Sequence, residues 1–138
     1  MKYMMMVLAS QADYDAQSGK GAEGAPEWSQ KDLQAMFDHM GAINNDLAES
    51  GELIDAQGLA EPAQTRLISR GKNGVEITDG PYGETKEMLA GYWLLDCASF
   101  ERVTEIAARV LECPVPANSP DYPIVVRPIG EVPDTIEG

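Results

Sequence analysis

Residues 91–110 decide the fold, and they read GYWLLDCASFERVTEIAARV. The first seven residues put bulky apolar side chains at consecutive positions, which is typical of a strand buried on both faces. Ser99 then provides an N-cap, and apolar residues recur behind it at helical spacing: Phe100, Val103, Ile106, Ala107 and Val110. This stretch therefore predicts a buried strand that leads directly into an amphipathic helix.

The start of the chain has a similar pair of elements. Residues 3–9 are an uninterrupted apolar run and predict a first strand. Ser29 and Asp32 have the spacing of a capping box, and Gly51 suits a left-handed C-terminal cap, so a helix is predicted between them. The intervening residues 11–28 are polar and rich in glycine, and they predict a long loop that is mobile or acts as a lid.

The middle and the end of the chain add strands. Residues 65–69 and 75–78 alternate polar with apolar side chains around a Gly-rich turn, which predicts a hairpin. Residues 122–129 predict the last strand. The resulting order is a split β-α-β pattern with an inserted hairpin, in one α+β domain. We assign this domain to residues 1–130 and a C-terminal tail to residues 131–138.

Two helices can cover only one face of such a sheet. The strands predicted at residues 3–9, 91–97 and 122–129 nevertheless carry apolar side chains on both faces. The second face therefore needs another surface to bury it, and a second copy of the chain is the simplest one. We predict a homodimer formed by sheet-on-sheet packing.

The charge of the chain narrows its possible partners. The formal net charge is -13, from 23 acidic and 10 basic residues among 138. Without a cluster of Lys and Arg, binding to nucleic acid or to an anionic membrane surface is disfavoured. No apolar run reaches transmembrane length, and the N-terminal run is short for a signal peptide, so we expect a cytoplasmic protein. Two cysteines, Cys97 and Cys113, do not make a disulfide framework.

Residues 78–87 read TDGPYGETKE and resemble the signature of the DGPF-motif proteins, a subgroup of the YCII-related family, with Tyr82 in place of the Phe. Residues 90–93 and 126–128 resemble other parts of the same pattern, and the resemblance extends over nearly the whole chain. It implies a ferredoxin-like α+β fold that pairs into a dimeric α/β barrel.

The resemblance implies less about chemistry. For the wider family it implies an enzyme that uses a His–Asp pair in a cleft, on an unknown substrate. Because some relatives are associated with sigma factors, it equally implies a regulatory module. Fold alone does not choose between these roles, because one fold hosts many functions.

Helix residues His39 and Asn44 are candidate site residues. His39 is the only histidine and lies about 90° from the centre of the apolar face, so it is either an acid–base group paired with Asp55 or a structural residue at the boundary. Asn44 lies inside the apolar stripe, where a buried amide must find partners. It either bonds a neighbouring loop or orients a ligand.

The turn Asp79-Gly80-Pro81, called the DGP turn below, provides further candidates. Asp79 either bonds nearby backbone N–H groups or faces a cleft as a general base. Lys86 could hold an anionic ligand or pair with Asp79, and Arg66 could serve the same purpose. The remaining candidate ligand contacts are Tyr82, Glu84 and Tyr92.

Two functions remain open from the sequence. One is binding of a small polar molecule beside the DGP turn, with cofactor-independent acid–base chemistry if the protein is an enzyme. The other is a non-catalytic dimeric interaction or regulatory module, linked to sigma factors if it resembles those relatives, in which the DGP turn stabilises the dimer or meets a protein partner. One histidine without metal-ligand spacing predicts no metal site, and the lack of a phosphate loop or dinucleotide motif predicts no cofactor.

Overall fold

A computed structural model describes residues 1–131. Within this range the protein is α+β, with a four-stranded antiparallel sheet, a separate two-stranded sheet and three α-helices. A 3-10 turn at Pro62–Gln64 precedes the second sheet. The elements in chain order are β1 (Lys2–Ala9), α1 (Gln11–Gln17), α2 (Gln30–Ser50), β2 (Leu53–Gly58), β3 (Arg66–Gly71), β4 (Gly74–Asp79), β5 (Met88–Asp96), α3 (Phe100–Leu111) and β6 (Val125–Pro128).

The four-stranded sheet has the order β2-β5-β1-β6, and every neighbouring pair is antiparallel. It is open, so residues 1–131 of the single chain form no closed barrel. Its two central strands, β1 and β5, carry the apolar runs from which they were predicted, and the last strand, β6, is shorter than the predicted 122–129. Within residues 1–131, every helix is too short or too polar to traverse a bilayer.

One face of this sheet, the inner face, carries Tyr3, Met5, Trp93 and Leu95, which are all buried. Helices α2 and α3 pack on it and close the hydrophobic core. The helical residues of this core are Ile43, Leu47, Val103, Ile106, Ala107 and Val110. Four of the five residues that predicted the α3 face are therefore in the core, whereas Phe100 is exposed.

The opposite, outer face has no long helix on it. Strand pairing aligns Met4 with Leu94, and Met6 with both Tyr92 and Val125, so these five side chains share that face. All five are half-buried in the single chain. The sheet is thus apolar on both sides but covered by α2 and α3 on one.

Helix α2 has the ends that its sequence predicts. The Ser29 Oγ accepts from the Asp32 N–H at 3.1 Å, and an Asp32 carboxylate oxygen accepts from the Ser29 N–H at 3.0 Å. Gly51 ends the helix in the left-handed conformation, with φ of 79°. The capping box and the glycine cap are both confirmed.

The loop predicted over residues 11–28 is wrong for its first third. Helix α1 occupies Gln11–Gln17, and it begins with a second capping box in which Ser10 and Asp13 bond each other's backbone N–H groups. The glycines that suggested a loop all lie beyond this helix, where the chain is indeed irregular through residue 28. Of the predicted tail 131–138, only Glu131 is within the described residues.

An ion pair joins the turn after α2 to α3. The Arg102 guanidinium donates to both carboxylate oxygens of Glu52, at 2.9 Å each, and Ser50 Oγ donates a third hydrogen bond at 2.8 Å. The Glu52 side chain is 15% exposed. The Arg102 hydrogen bonds, with a smaller contribution from Ser50, lower the pKa of Glu52 from 4.5 to about 2, against the effect of burial.

Replacing Glu52 by Gln should lower the free energy of unfolding at neutral pH by about 1–3 kcal/mol. Because the pKa of Glu52 is depressed in the folded state, its stabilising contribution is complete above pH 4.5 and is lost as the pH falls towards 2. Urea unfolding followed by circular dichroism should therefore show the difference between wild type and Glu52→Gln shrinking over this range.

Glu105 is the matched control, since it bonds the same Arg102 at 3.2 Å but is 68% exposed. Glu105→Gln should change stability by less than about 0.5 kcal/mol. A loss in Glu52→Gln that did not depend on pH below 4.5 would contradict this account of the ion pair.

Candidate functional site

A cavity of about 680 Å³ opens between the inner face of the sheet and the helices. Its walls come from the ends of β1, β2 and β5, from α1 and α2, and from residues 110–124. Most of the lining is apolar or aromatic, and this part of it includes Val7, Trp28, Met36, Phe37, Trp93 and Ile124. The volume and the lining are those of a site for a small organic ligand.

Small residues on the inner face create this space. Ala56 of β2 and Gly91 of β5 both line the cavity, where the neighbouring positions Trp93 and Leu95 are large. A Cβ atom at Gly91 would lie 2.9 Å from the Gln57 carbonyl oxygen, so the close approach of β2 to β5 requires glycine there. The inner face therefore carries little side-chain volume at this end of the sheet, and helices α2 and α3 leave the space above it unfilled.

Asn44 bonds the central strand of the site. The Trp93 Nε1–H donates to Asn44 Oδ1 at 2.7 Å. Because an indole nitrogen can only donate, the oxygen of the amide must face Trp93 and the Nδ2 group is left free. Within residues 1–131, this Nδ2 group has no hydrogen-bond partner and is not buried. Asn44, which lines the cavity, therefore has a hydrogen-bond donor that residues 1–131 do not use.

A second polar pair in the cavity lining joins Asp13 to Tyr122. The Tyr122 hydroxyl donates to Asp13 Oδ2 at 2.7 Å, and the same oxygen accepts from the Ser10 N–H and the Ser10 hydroxyl. Burial and, next, the Asp13 carboxylate raise the pKa of Tyr122. The phenol therefore stays protonated, and it joins α1 to the segment that leads into β6.

Helix α1 is held by three further contacts. The Tyr14 hydroxyl donates to the Leu59 carbonyl at 3.0 Å, and burial raises its pKa. The Ala63 N–H donates to Gln11 Oε1 at 2.7 Å, and the Ala12 N–H donates to the Glu84 carbonyl at 3.0 Å. The segment after the DGP turn thus supports the helix that forms one wall of the cavity.

The side chains predicted around the DGP turn lie elsewhere. Asp79 pairs with Arg66 at 2.6 Å, and both are more than half exposed. The Gly80 N–H donates to the Thr65 carbonyl at 2.7 Å, and Gly80 has φ of 56°, which explains the glycine. The cavity lining contains neither Asp79 nor the other candidates of this segment. These are Tyr82, which is half-buried, and Glu84 and Lys86, which are exposed.

His39 and Asp55 are on opposite sides of the sheet. His39 Nε2 lies 2.8 Å from the Arg109 carbonyl oxygen, an acceptor, so this nitrogen carries the proton and links α2 to α3. Asp55 accepts from the Tyr92 hydroxyl at 3.3 Å on the outer face. A bulge between Leu53 and Asp55 turns Asp55 outward, because it shifts the pairing of β2 with β5 by one residue. The structure does not bring the two residues together.

Of the predicted site residues, Asn44 and Tyr92 border the cavity, although the Tyr92 hydroxyl bonds Asp55 on the outer face. Burial and the nearby Asp55 raise the pKa of Tyr92. The sequence interpretation missed Asp13, Tyr14 and Tyr122, of which Asp13 was detectable as the partner of Ser10 in a capping box. No three His, Cys, Asp or Glu side chains of residues 1–131 come together as a metal-binding group.

Replacing Asn44 by Ala should lower the free energy of unfolding by about 1–2 kcal/mol, since the Trp93 N–H loses its partner at a partly buried position. The matched control is Asn45→Ala, at the exposed neighbouring position, with an expected change within about 0.5 kcal/mol. Urea unfolding measures both, and Trp emission should shift only in Asn44→Ala. Equal effects at the two positions would refute the role given to the Asn44–Trp93 bond.

Comparison with known proteins gives a family and one distant relative. The family model described as the YCII-related domain matches residues 1–121. An uncharacterized protein of Rhizobium meliloti (strain 1021) is 27% identical over 111 residues, which cover 77% of this chain and 86% of that protein. Neither description carries an activity or a ligand.

Proposed function

The chain belongs to the YCII-related family, and from that premise we propose that it binds a small organic molecule in the cavity beside α1 and α2. The observation that carries this proposal is the cavity of about 680 Å³, with an apolar lining and two hydrogen-bonded polar pairs at its wall. We further propose that the chain belongs to the DGPF-motif subgroup, which residues 78–87 support.

The lining supports a ligand that is neutral or cationic. Among the described residues, the cavity is lined by the carboxyl-bearing Asp13 and Asp121 and by no Lys, Arg or His. An anionic ligand would meet no opposite charge there, on a chain whose net charge is -13. The ligand we propose has a mainly apolar body and one acceptor that meets the Asn44 Nδ2 group. It is less polar, and bound farther from the DGP turn, than the sequence predicts.

The contacts support binding in preference to acid–base catalysis. The Asp13 Oδ2 atom already accepts three hydrogen bonds, and the raised pKa of Tyr122 disfavours its use as a base. Asp79 and His39, the predicted acid–base residues, are not in the lining. The DGP turn then contributes through its main chain, which supports α1, rather than through ligand contacts.

The two tryptophans of the chain, Trp28 and Trp93, both line the cavity, so intrinsic fluorescence reports on it directly. Titration with the neutral apolar probe N-phenyl-1-naphthylamine should quench Trp emission saturably and sensitise the emission of the probe. Ala56→Leu, which fills part of the cavity, should weaken binding at least about tenfold, or 1.4 kcal/mol. Ala42→Leu, the same change at an exposed position of α2, should bind as wild type does.

Asp79→Asn separates this proposal from a site at the DGP turn, and it should leave probe binding unchanged. Non-saturable quenching, or equal binding by wild type and a folded Ala56→Leu, would refute the cavity as a binding site. Loss of binding in Asp79→Asn, with the melting temperature retained, would move the site to the turn.

We also propose that the chain is a homodimer that buries the outer face of the sheet. Its accessible surface is 9483 Å², whereas a compact monomer of its mass exposes roughly 7,000 Å². The excess surpasses the roughly 800 Å² that each partner buries in a typical interface. The central position of β1 and β5 in the sheet supports the ferredoxin-like arrangement, and the pairing of two such sheets as a dimeric α/β barrel.

Leu94→Lys places a charge on the outer face and should convert the dimer to a monomer, because the ammonium group would have to be desolvated. Sedimentation velocity should give wild type twice the chain mass of 14.9 kDa. Ala48→Lys, at an exposed position of α2, should remain dimeric. A wild type that sediments as a monomer at every concentration would refute the dimer.

A further inference from the structure

The hairpin formed by β3 and β4 is a two-stranded sheet apart from the main one. Strand pairing aligns Arg66 with Asp79, Ile68 with Ile77 and Arg70 with Val75, so these six side chains lie on one face of it, called the arm face below. Ile68, Val75 and Ile77 are 66%, 70% and 60% exposed. The other face carries mainly small or polar side chains at Ser69, Glu76 and Thr78, together with Leu67.

An isolated hairpin is at best marginally stable in water. The arm face adds three β-branched aliphatic side chains at adjacent positions, which is the composition of a surface that another surface covers. Neither strand of the hairpin belongs to the four-stranded sheet. The described chain therefore provides no sheet partner for the hairpin.

We propose that the arm face packs on a second copy of this chain, so that each subunit holds the other with its hairpin. This inference rests on the homodimer proposed above and adds a second contact to the outer sheet face. The arm is long enough to reach a second copy packed on the sheet. Six residues in each strand span about 20 Å, whereas packed sheets lie about 10 Å apart.

The position of the hairpin supports this choice of partner. It interrupts the connection between β2 and β5, which are paired neighbours in the main sheet. It therefore leaves the sheet at the ends of these two strands, where Gly58 of β2 pairs with Gly91 of β5. A copy packed on the outer face would lie within reach of the arm.

The charge of the arm points to the same partner. Residues 66–79 contain three basic and two acidic side chains, in a chain whose net charge is -13. Arg66 and Asp79 pair with each other. The remaining charged side chains of the arm are two basic ones, Arg70 and Lys72, and one acidic one, Glu76. A weakly positive apolar arm complements the strongly acidic body of a second copy.

The test compares Ile77→Asp with Thr78→Asp, which introduce the same charge at adjacent positions on opposite faces of the hairpin. Sedimentation velocity over a concentration series gives the dimer dissociation constant of each. Ile77→Asp should raise it at least about tenfold, since a carboxylate would be buried against an apolar surface. Thr78→Asp should stay within about threefold of wild type.

The possible outcomes distinguish failure of the proposed arm contact from failure of the proposed dimer. If wild type and Ile77→Asp dimerise equally while Leu94→Lys dissociates, the arm contact is wrong and the outer-face dimer stands. If wild type is monomeric, both proposals fail. Equal weakening by Ile77→Asp and Thr78→Asp would also overturn the arm contact, because the effect would not depend on the face.

Hydrogen exchange of wild type decides the matter if Ile77→Asp does not fold. Backbone amides of residues 66–79 should exchange more slowly at concentrations above the dissociation constant than below it, because the dimer restrains the hairpin. Exchange in the hairpin that is unchanged while the main sheet responds to dimerisation would overturn the proposal, and would leave a different protein as the occupant of the arm face.

Discussion

Two helices can cover one face of a four-stranded sheet, and the rest of this structure follows from that limit. Helices α2 and α3 lie over Tyr3, Met5 and Leu95, where the core is tight. At the other end of the inner face, Ala56 and Gly91 reduce the sheet to little more than backbone, and the α2 side chains that lie there border the space without filling it. Helix α1 and residues 110–124 enclose that end without filling it, and the result is the cavity.

The polar segment around the DGP turn, residues 78–87, supports the cavity wall without lining the cavity. Its side chains are exposed or, as with Asp79, used in an ion pair within the hairpin. Its main chain instead accepts a hydrogen bond from α1 through Glu84 and fixes the base of the hairpin through Gly80. A motif can thus be specific in sequence because its backbone has to follow one path, with no ligand in contact with it. That path sets the position of Asp13 and Tyr14 at the cavity wall.

Local signals in the sequence were sufficient for the long elements. The capping box at Ser29, the glycine at position 51 and the alternation around the hairpin turn each specify structure within a few residues. Helix α1 has the same capping signal, but its seven residues are too few to show an apolar period. The Asp13–Tyr122 bond joins residues 109 positions apart, and a single sequence gives no means of pairing them. The face on which Asp55 lies depends on a bulge, and bulges leave little trace in an alternating pattern.

Asn44 shows why one polar residue of the candidate site could be foreseen from the sequence even though the location of the site could not. An amide in the apolar stripe of a helix needs a partner, and this one meets the only donor of an otherwise apolar indole. The Trp93 Nε1–H needs a hydrogen-bond acceptor where the core borders the cavity, since an unpaired N–H there would cost about 1–3 kcal/mol. A carboxylate could accept the same bond, but it would bring a charge into a largely apolar wall. The amide satisfies Trp93 without charge, and its Nδ2 group is the donor that the proposed ligand would meet.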